Sequence, residues 1–97
     1  MRDWLFGLDV SDRKIVGKDI ATVEFGWPLG MPLCRPLTGG VHEVRSTIRA
    51  GKVEARVYFV IEGGVMILLH AAVGKDRQKQ DVERAVARAS GLREGET

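Results

Sequence analysis

Lys52-Val53-Glu54-Ala55-Arg56-Val57-Tyr58-Phe59-Val60-Ile61 alternates with a period of two. Val53, Ala55, Val57, Phe59 and Ile61 make one apolar set, and Lys52, Glu54, Arg56, Tyr58 and Val60 make the other. Successive side chains of an extended chain point to opposite faces, so the stretch reads as a strand with one core side. Its second side sets Lys52, Arg56 and Tyr58 in a row. Arg49-Ala50-Gly51, just upstream, has the length of a hairpin turn. Residues 41–48 read as the partner strand, with Val41, Glu43, Arg45 and Thr47 alternating against His42, Val44, Ser46 and Ile48. Downstream, Gly63-Gly64 marks a second tight turn, and residues 65–70 read as a continuous apolar strand covered on both sides near its middle. The expectation is an antiparallel meander of three strands.

Helices are expected on both sides of this meander in sequence. Trp4, Leu5 and Leu8 have helical spacing, with Asp9 or Ser11 available as caps. A second helix is predicted over residues 12–25, because Val16, Ile20, Val23 and Trp27 form one stripe. The pair makes an N-terminal helical hairpin. Gly26, Pro28, Gly30, Pro32 and Pro36 break regular structure, so residues 26–36 read as a crossing loop. Val82, Ala85, Val86 and Ala89 predict a closing helix over residues 81–90 that Gly91 ends. This order describes an α+β domain with helices on one face of the sheet and the other face open. Residues 1–91 form the domain and residues 92–97 a flexible tail.

Composition narrows the function classes. The chain has 97 residues, 44% hydrophobic and 29% charged, which suits one ordinary globular domain. The longest apolar run, residues 65–69, falls far short of the roughly 20 residues that span a bilayer, and the start carries no signal-peptide pattern. A cytoplasmic protein without a membrane partner is the expectation. Cys34 is the single cysteine and reads as a small buried hydrophobe of a reducing compartment. Net charge is +2, but residues 35–58 hold five cations against two carboxylates, whereas residues 1–24 hold four against five. One basic face fits a nucleic-acid or acidic-peptide partner.

His42 and His70 are far apart, with no carboxylate at ligand spacing, so neither a metal nor another cofactor is expected. There is no phosphate-binding glycine loop, and Ser11, Ser46 and Ser90 sit in no nucleophile elbow. Trp4 and Trp27 read as packing residues, and His70 as a core histidine bonded to backbone. What remains is cationic and phenolic. Arg56 and Tyr58 stand about 7 Å apart by strand rise, near the spacing of neighbouring phosphates on one RNA strand. Arg45 reaches either this face or the core side, according to register. Lys75, Arg77 and Lys79 alternate through the loop after the last strand. The group suits phosphate binding and base stacking on Tyr58. A solvated face, with Glu43 or Glu54 paired across strands to Arg45 or Arg56, fits the same pattern.

Gly26-Trp27-Pro28-Leu29-Gly30-Met31-Pro32-Leu33, followed by Pro36-Leu37-Thr38-Gly39-Gly40-Val41-His42-Glu43-Val44-Arg45, resembles the G-x-PLG-x-P … L-x-GG-L-x-E-L-R stretch of phage-derived RelE/HigB-like toxins. Arg56-Val57-Tyr58-Phe59 and Val65-Met66-Ile67-Leu68-Leu69-His70 are similar to that family's R-V-x-Y/F and V-x-LLH-G-F strands, and Glu83-Arg84-Ala85 to its last helix. The resemblance implies a RelE-like fold and the toxin of a type II toxin–antitoxin module. Such a toxin is a metal-independent mRNA endoribonuclease acting on the ribosome and neutralised by a helix-turn-helix antitoxin. It implies catalytic roles for Arg56, Tyr58 and Lys75, and RNA contacts from Arg45, Lys52, Arg77 and Lys79.

The chain departs from the pattern in three places. It starts at the first helix, so the family's first strand is expected to be missing, leaving an edge open to a partner or to a second copy in a homodimer. The family's K-K-T/S-Q/R-K-T-P loop is here Gly74-Lys75-Asp76-Arg77-Gln78-Lys79-Gln80, and Ala71-Ala72 replaces Gly-Phe. The alternative reading is therefore a degenerate module that binds antitoxin or RNA without cleaving. A DNA-binding regulator acting alone lacks its helix-turn-helix.

Overall fold

The Val16/Ile20/Val23 stripe and the alternating strand residues meet in one apolar layer of a computed structural model that describes residues 2–26, 34–74 and 78–95. The elements are α1 (Arg2–Phe6), α2 (Val10–Gly26), β1 (Cys34–Pro36), β2 (His42–Ile48), β3 (Val53–Glu62), β4 (Val65–Val73) and α3 (Gln78–Gly95). Trp27, the last member of the α2 stripe, lies outside the described residues. So does most of the expected crossing loop.

The sheet has four strands, not three, in the order β1-β2-β3-β4, and every pairing is antiparallel. The extra strand is the end of the stretch read as a loop. Cys34, Arg35 and Pro36 pair with Val44, Glu43 and His42. Three residues are too few to show a period, and Pro36 argues against a strand except at an edge, which is where β1 lies. No strand precedes α1 among the described residues.

The second correction concerns the open face. Val16, Val23, Cys34, Val44, Ile48, Ala55, Val57, Phe59 and Ala71 form an apolar layer under α2, joined at its rim by Trp4, Leu5 and Leu8. On the opposite side, α3 packs Ala85 and Ala89 onto Val41, Tyr58, Val60 and Leu69. The sheet is therefore covered on both faces, by α1 and α2 on one side and by α3 on the other. Small alanines let α3 approach closely, and Val82 and Val86 widen its apolar stripe. The helix also runs through Gly91 to Gly95. A mid-helix glycine costs about 1 kcal/mol, and the turn beyond it carries Leu92 to the edge of a groove beside Ile67 and Leu69.

Two local devices set the register on the polar side. Arg49 and Ala50 adopt φ of 52° and 57°, a left-handed turn built without glycine at either position. The backbone N–H of Arg49 donates to the Oδ1 of Asp12 at 3.1 Å, so the buried carboxylate of α2 holds the β2–β3 turn. In β4, Tyr58 faces His70 while Phe59 faces Leu68, which leaves Leu69 as a bulge. The bulge puts both Leu69 and His70 on the α3 side.

Candidate functional site

Register alone lines up a polar row across the sheet. Arg35 faces Glu43, Glu43 faces Tyr58, and Tyr58 faces His70. The next row pairs Arg45 with Arg56. Two guanidinium groups directly opposite would repel, and the carboxylate beside them removes that conflict. Glu43 is fully buried, with Arg35 Nε at 3.2 Å, Arg56 Nε at 3.6 Å and Arg45 Nε at 3.9 Å. Three strands thus converge their arginines on one acid.

Arg56 is itself buried, at 2% exposure. Its Nη1 donates to the carbonyl of Gly74 at 2.9 Å and its Nη2 to Glu54 Oε2 at 3.0 Å. Arg35 and Arg45 keep about a third and a quarter of their side chains in solvent (36% and 26%). The site is graded: a buried arginine behind, two partly exposed ones in front. A buried carboxylate costs several kcal/mol in lost hydration, and close cations offset that cost. Among the described residues, the Tyr58 hydroxyl and Ser46 Oγ meet no hydrogen-bond partner, and Glu43, Arg35 Nε and Arg56 Nε meet through charge without a well-aligned hydrogen bond. These atoms are held by charge rather than by well-aligned hydrogen bonds, which leaves the cluster with hydrogen-bonding capacity to spare.

Tyr58 is fully buried, with its ring stacked 6.0 Å from that of His70. Burial, then the charges of Glu43 and Asp81, push its phenol up to about 12, against the opposing pull of Arg56 and Arg35. At neutral pH it is a neutral hydroxyl that can donate a hydrogen bond but cannot act as a base. His70 Nε2 donates to Asp81 Oδ1 at 2.8 Å, which ties β4 to the first turn of α3. Burial and then Glu43 raise the Cys34 thiol, and burial lowers His42.

The expected site residues are distributed unevenly. Arg45, Arg56 and Tyr58 come together around Glu43, and the register places Arg45 on the Arg56 side. Lys52 lies in the turn before β3 rather than on the strand, exposed, where it lines a shallow cavity with Val53, Glu54 and Gly74. Lys79 is exposed on the first turn of α3. Lys75 and Arg77 lie outside the described residues. Tyr58, expected as a stacking platform, has its ring covered in this structure.

Residues 3–90 match the family described as Phage derived protein Gp49-like (DUF891). The chain belongs to that family. No curated protein and no solved structure matches it.

Within this Gp49-like chain, sequence reasoning missed Arg35 and Asp81 and underrated Glu43. Arg35 sat in a stretch read as loop. Asp81 was visible only as the start of a helix, and His70 turned out to bond a carboxylate rather than backbone. Glu43 was legible as a cross-strand ion pair, but its complete burial was not. Among the described residues no group of three or more His, Cys, Asp or Glu is placed to hold a metal ion, and no helix is long and apolar enough to cross a membrane.

Proposed function

We propose that this Gp49-like chain is the toxin of a type II toxin–antitoxin module, a metal-independent endoribonuclease that cleaves mRNA on the ribosome and is neutralised by a helix-turn-helix antitoxin. The observation that carries the reading is the convergence of Arg35, Arg45 and Arg56 on Glu43, in the motif segments that resemble RelE/HigB-like toxins. Attack of a ribose 2′-hydroxyl on the adjacent phosphate builds negative charge on the phosphorane, and cations fixed in advance stabilise it. Arg45 and Arg35 are the groups a phosphate meets first, with Arg56 contributing its charge from behind. Tyr58, for which the resemblance implies a catalytic role, is neutral and fully buried here, so it supports the site from behind the arginines rather than meeting the nucleotide. Lys52 and Lys79, both exposed, extend the basic surface, and the resemblance adds RNA contacts from Arg77 and a catalytic role for Lys75, which lie outside the described residues. With no strong base among these side chains, rate enhancement rests on positioning.

Induced expression of the full chain is the test. Growth arrest, rescue by the neighbouring helix-turn-helix gene, and new mRNA 5′ ends that persist in EDTA are expected. Arg45→Ala is expected to remove the cleavage while the protein stays folded. Expression without toxicity and without new 5′ ends would count against the reading.

One observation favours the degenerate alternative, a module of this fold that binds antitoxin or RNA without cutting. Arg56 is committed to Glu43, Glu54 and the Gly74 carbonyl. RNA or antitoxin binding by purified protein, with intact transcripts in a translation extract, selects that alternative.

A further inference from the structure

β4 ends the sheet, so among the described residues one long side of it pairs with no strand. Its sequence, Val65-Met66-Ile67-Leu68-Leu69-His70-Ala71-Ala72-Val73, contains no Lys, Arg, Asp, Glu or Pro. Edge strands are ordinarily protected by shortness, charge, proline or a bulge. The opposite edge has the first three: β1 is three residues long and includes Arg35 and Pro36. On β4 the protection starts only at Leu69, where the bulge falls and the carbonyl accepts a hydrogen bond from Arg88 Nη1. Val65, Met66, Ile67 and Leu68 form a flat apolar stretch before it. Val65 is 60% exposed, and a shallow groove between Ile67, Leu69 and Leu92 runs beside the strand on the α3 side.

We propose that the Val65–Leu68 edge is where a second copy of this chain docks, β4 antiparallel to β4 about a two-fold axis, making one continuous eight-stranded sheet. Charge and topology both favour a second copy. An uncharged strand meets itself without repulsion, and it is apolar on both faces, with Ile67 toward α3, Met66 and Leu68 toward α2, and Val65 exposed and on the Ile67 side by strand alternation. Each copy therefore offers apolar side chains to the other above and below the new strand pair. Head-to-tail growth is closed off because β1 is short and Pro36 has no N–H to donate, so the contact closes as a dimer. Gly63 and Gly64, both at positive φ, open onto free space and leave the approach to the strand start clear. Four paired residues and one groove make a small contact, of the class below about 1,200 Å² in which association is weak and reversible.

Sedimentation velocity on the full chain from about 1 to about 200 µM tests this. A reversible monomer–dimer equilibrium is expected, weakened at least about tenfold by Val65→Lys. That side chain is mostly exposed, so the variant should keep the wild-type circular dichroism and denaturation midpoint. Hydrogen exchange adds a local readout: amides of residues 65–68 should gain protection with concentration in the wild type and not in the variant. A monomer throughout the range, a dimer indifferent to Val65→Lys, or open-ended growth overturns the proposal. So does a monomer whose β4 amides become protected only when another protein is added.

Discussion

The two faces of this sheet do different work. The α2 face is a mainly apolar layer of Val16, Val23, Val44, Ile48, Val57 and Phe59, with Cys34 and two alanines filling the gaps and Ser46 and Asp12 as its buried polar residues. The α3 face buries Glu43, Arg56 and the Tyr58 hydroxyl alongside its apolar patch. Apolar burial stabilises by roughly 25 cal/mol per Å², whereas buried ions at best offset their own desolvation. Stability is thus concentrated on one side. The other carries an arrangement that folding alone does not favour, which is the kind of departure that supports the proposed function.

The largest test of that contrast is Phe59→Ala, which removes a fully buried ring from the apolar layer. We expect it to lower stability by about 3–5 kcal/mol in urea denaturation. Glu43→Gln attacks the opposite face and should cost about 3 kcal/mol by leaving three arginines around a neutral amide. Its signature is different, because added phosphate or sulfate should restore much of the loss by replacing the missing negative charge. The same anions should do much less for Phe59→Ala.

Tyr58 offers a sharper probe, since it is the chain's only tyrosine and its phenolate absorbance reports one group. A midpoint near about 12 is expected in the folded protein. The folded value lies above the unfolded one, so the folded state holds the proton more tightly. The resulting stability is complete below pH about 10 and is lost as pH rises toward about 12, amounting to about 2–3 kcal/mol over that window. Tyr58→Phe should remove this component of the alkaline loss. At pH 7 it should change stability by less than about 1 kcal/mol, because the deleted hydroxyl has no hydrogen-bond partner among the described residues.

The smallest effect is expected at the β2–β3 turn, which the α2 face braces through Asp12 and which carries Lys52 toward the polar side. Ala50→Gly should stabilise by about 1 kcal/mol, because φ of 57° penalises a Cβ. A destabilised variant would mean that the stiffness of alanine in the unfolded chain outweighs the strain.

Legibility followed the length of the pattern. The ten residues of β3 and the α2 stripe show their periods repeatedly, so both were readable. β1 has three residues and a proline, and no local signal distinguishes it from a loop. The α3 alanines marked a buried helix face but not the sheet face that it would cover, so a surface expected to be open is covered by that helix. Arg56 and Tyr58 were legible as neighbours because a strand puts residues two apart on one side. Their burial was not legible, since it depends on α3 and on Glu43 from another strand.

By itself, the sequence determined the helices, the β2–β3–β4 meander and the two sides of β3, because these follow from backbone geometry repeated every two or 3.6 residues, but it did not show β1. It also placed Arg56 and Tyr58 on a common side, while Arg45 and Arg35 joined them only through register. Tertiary structure alone decided that they surround a single buried carboxylate, that Tyr58 is held neutral, and that β4 rather than β1 is the unprotected edge. Those outcomes depend on strand register, on the bulge at Leu69 and on where α3 lands, all set by contacts between residues distant in the chain.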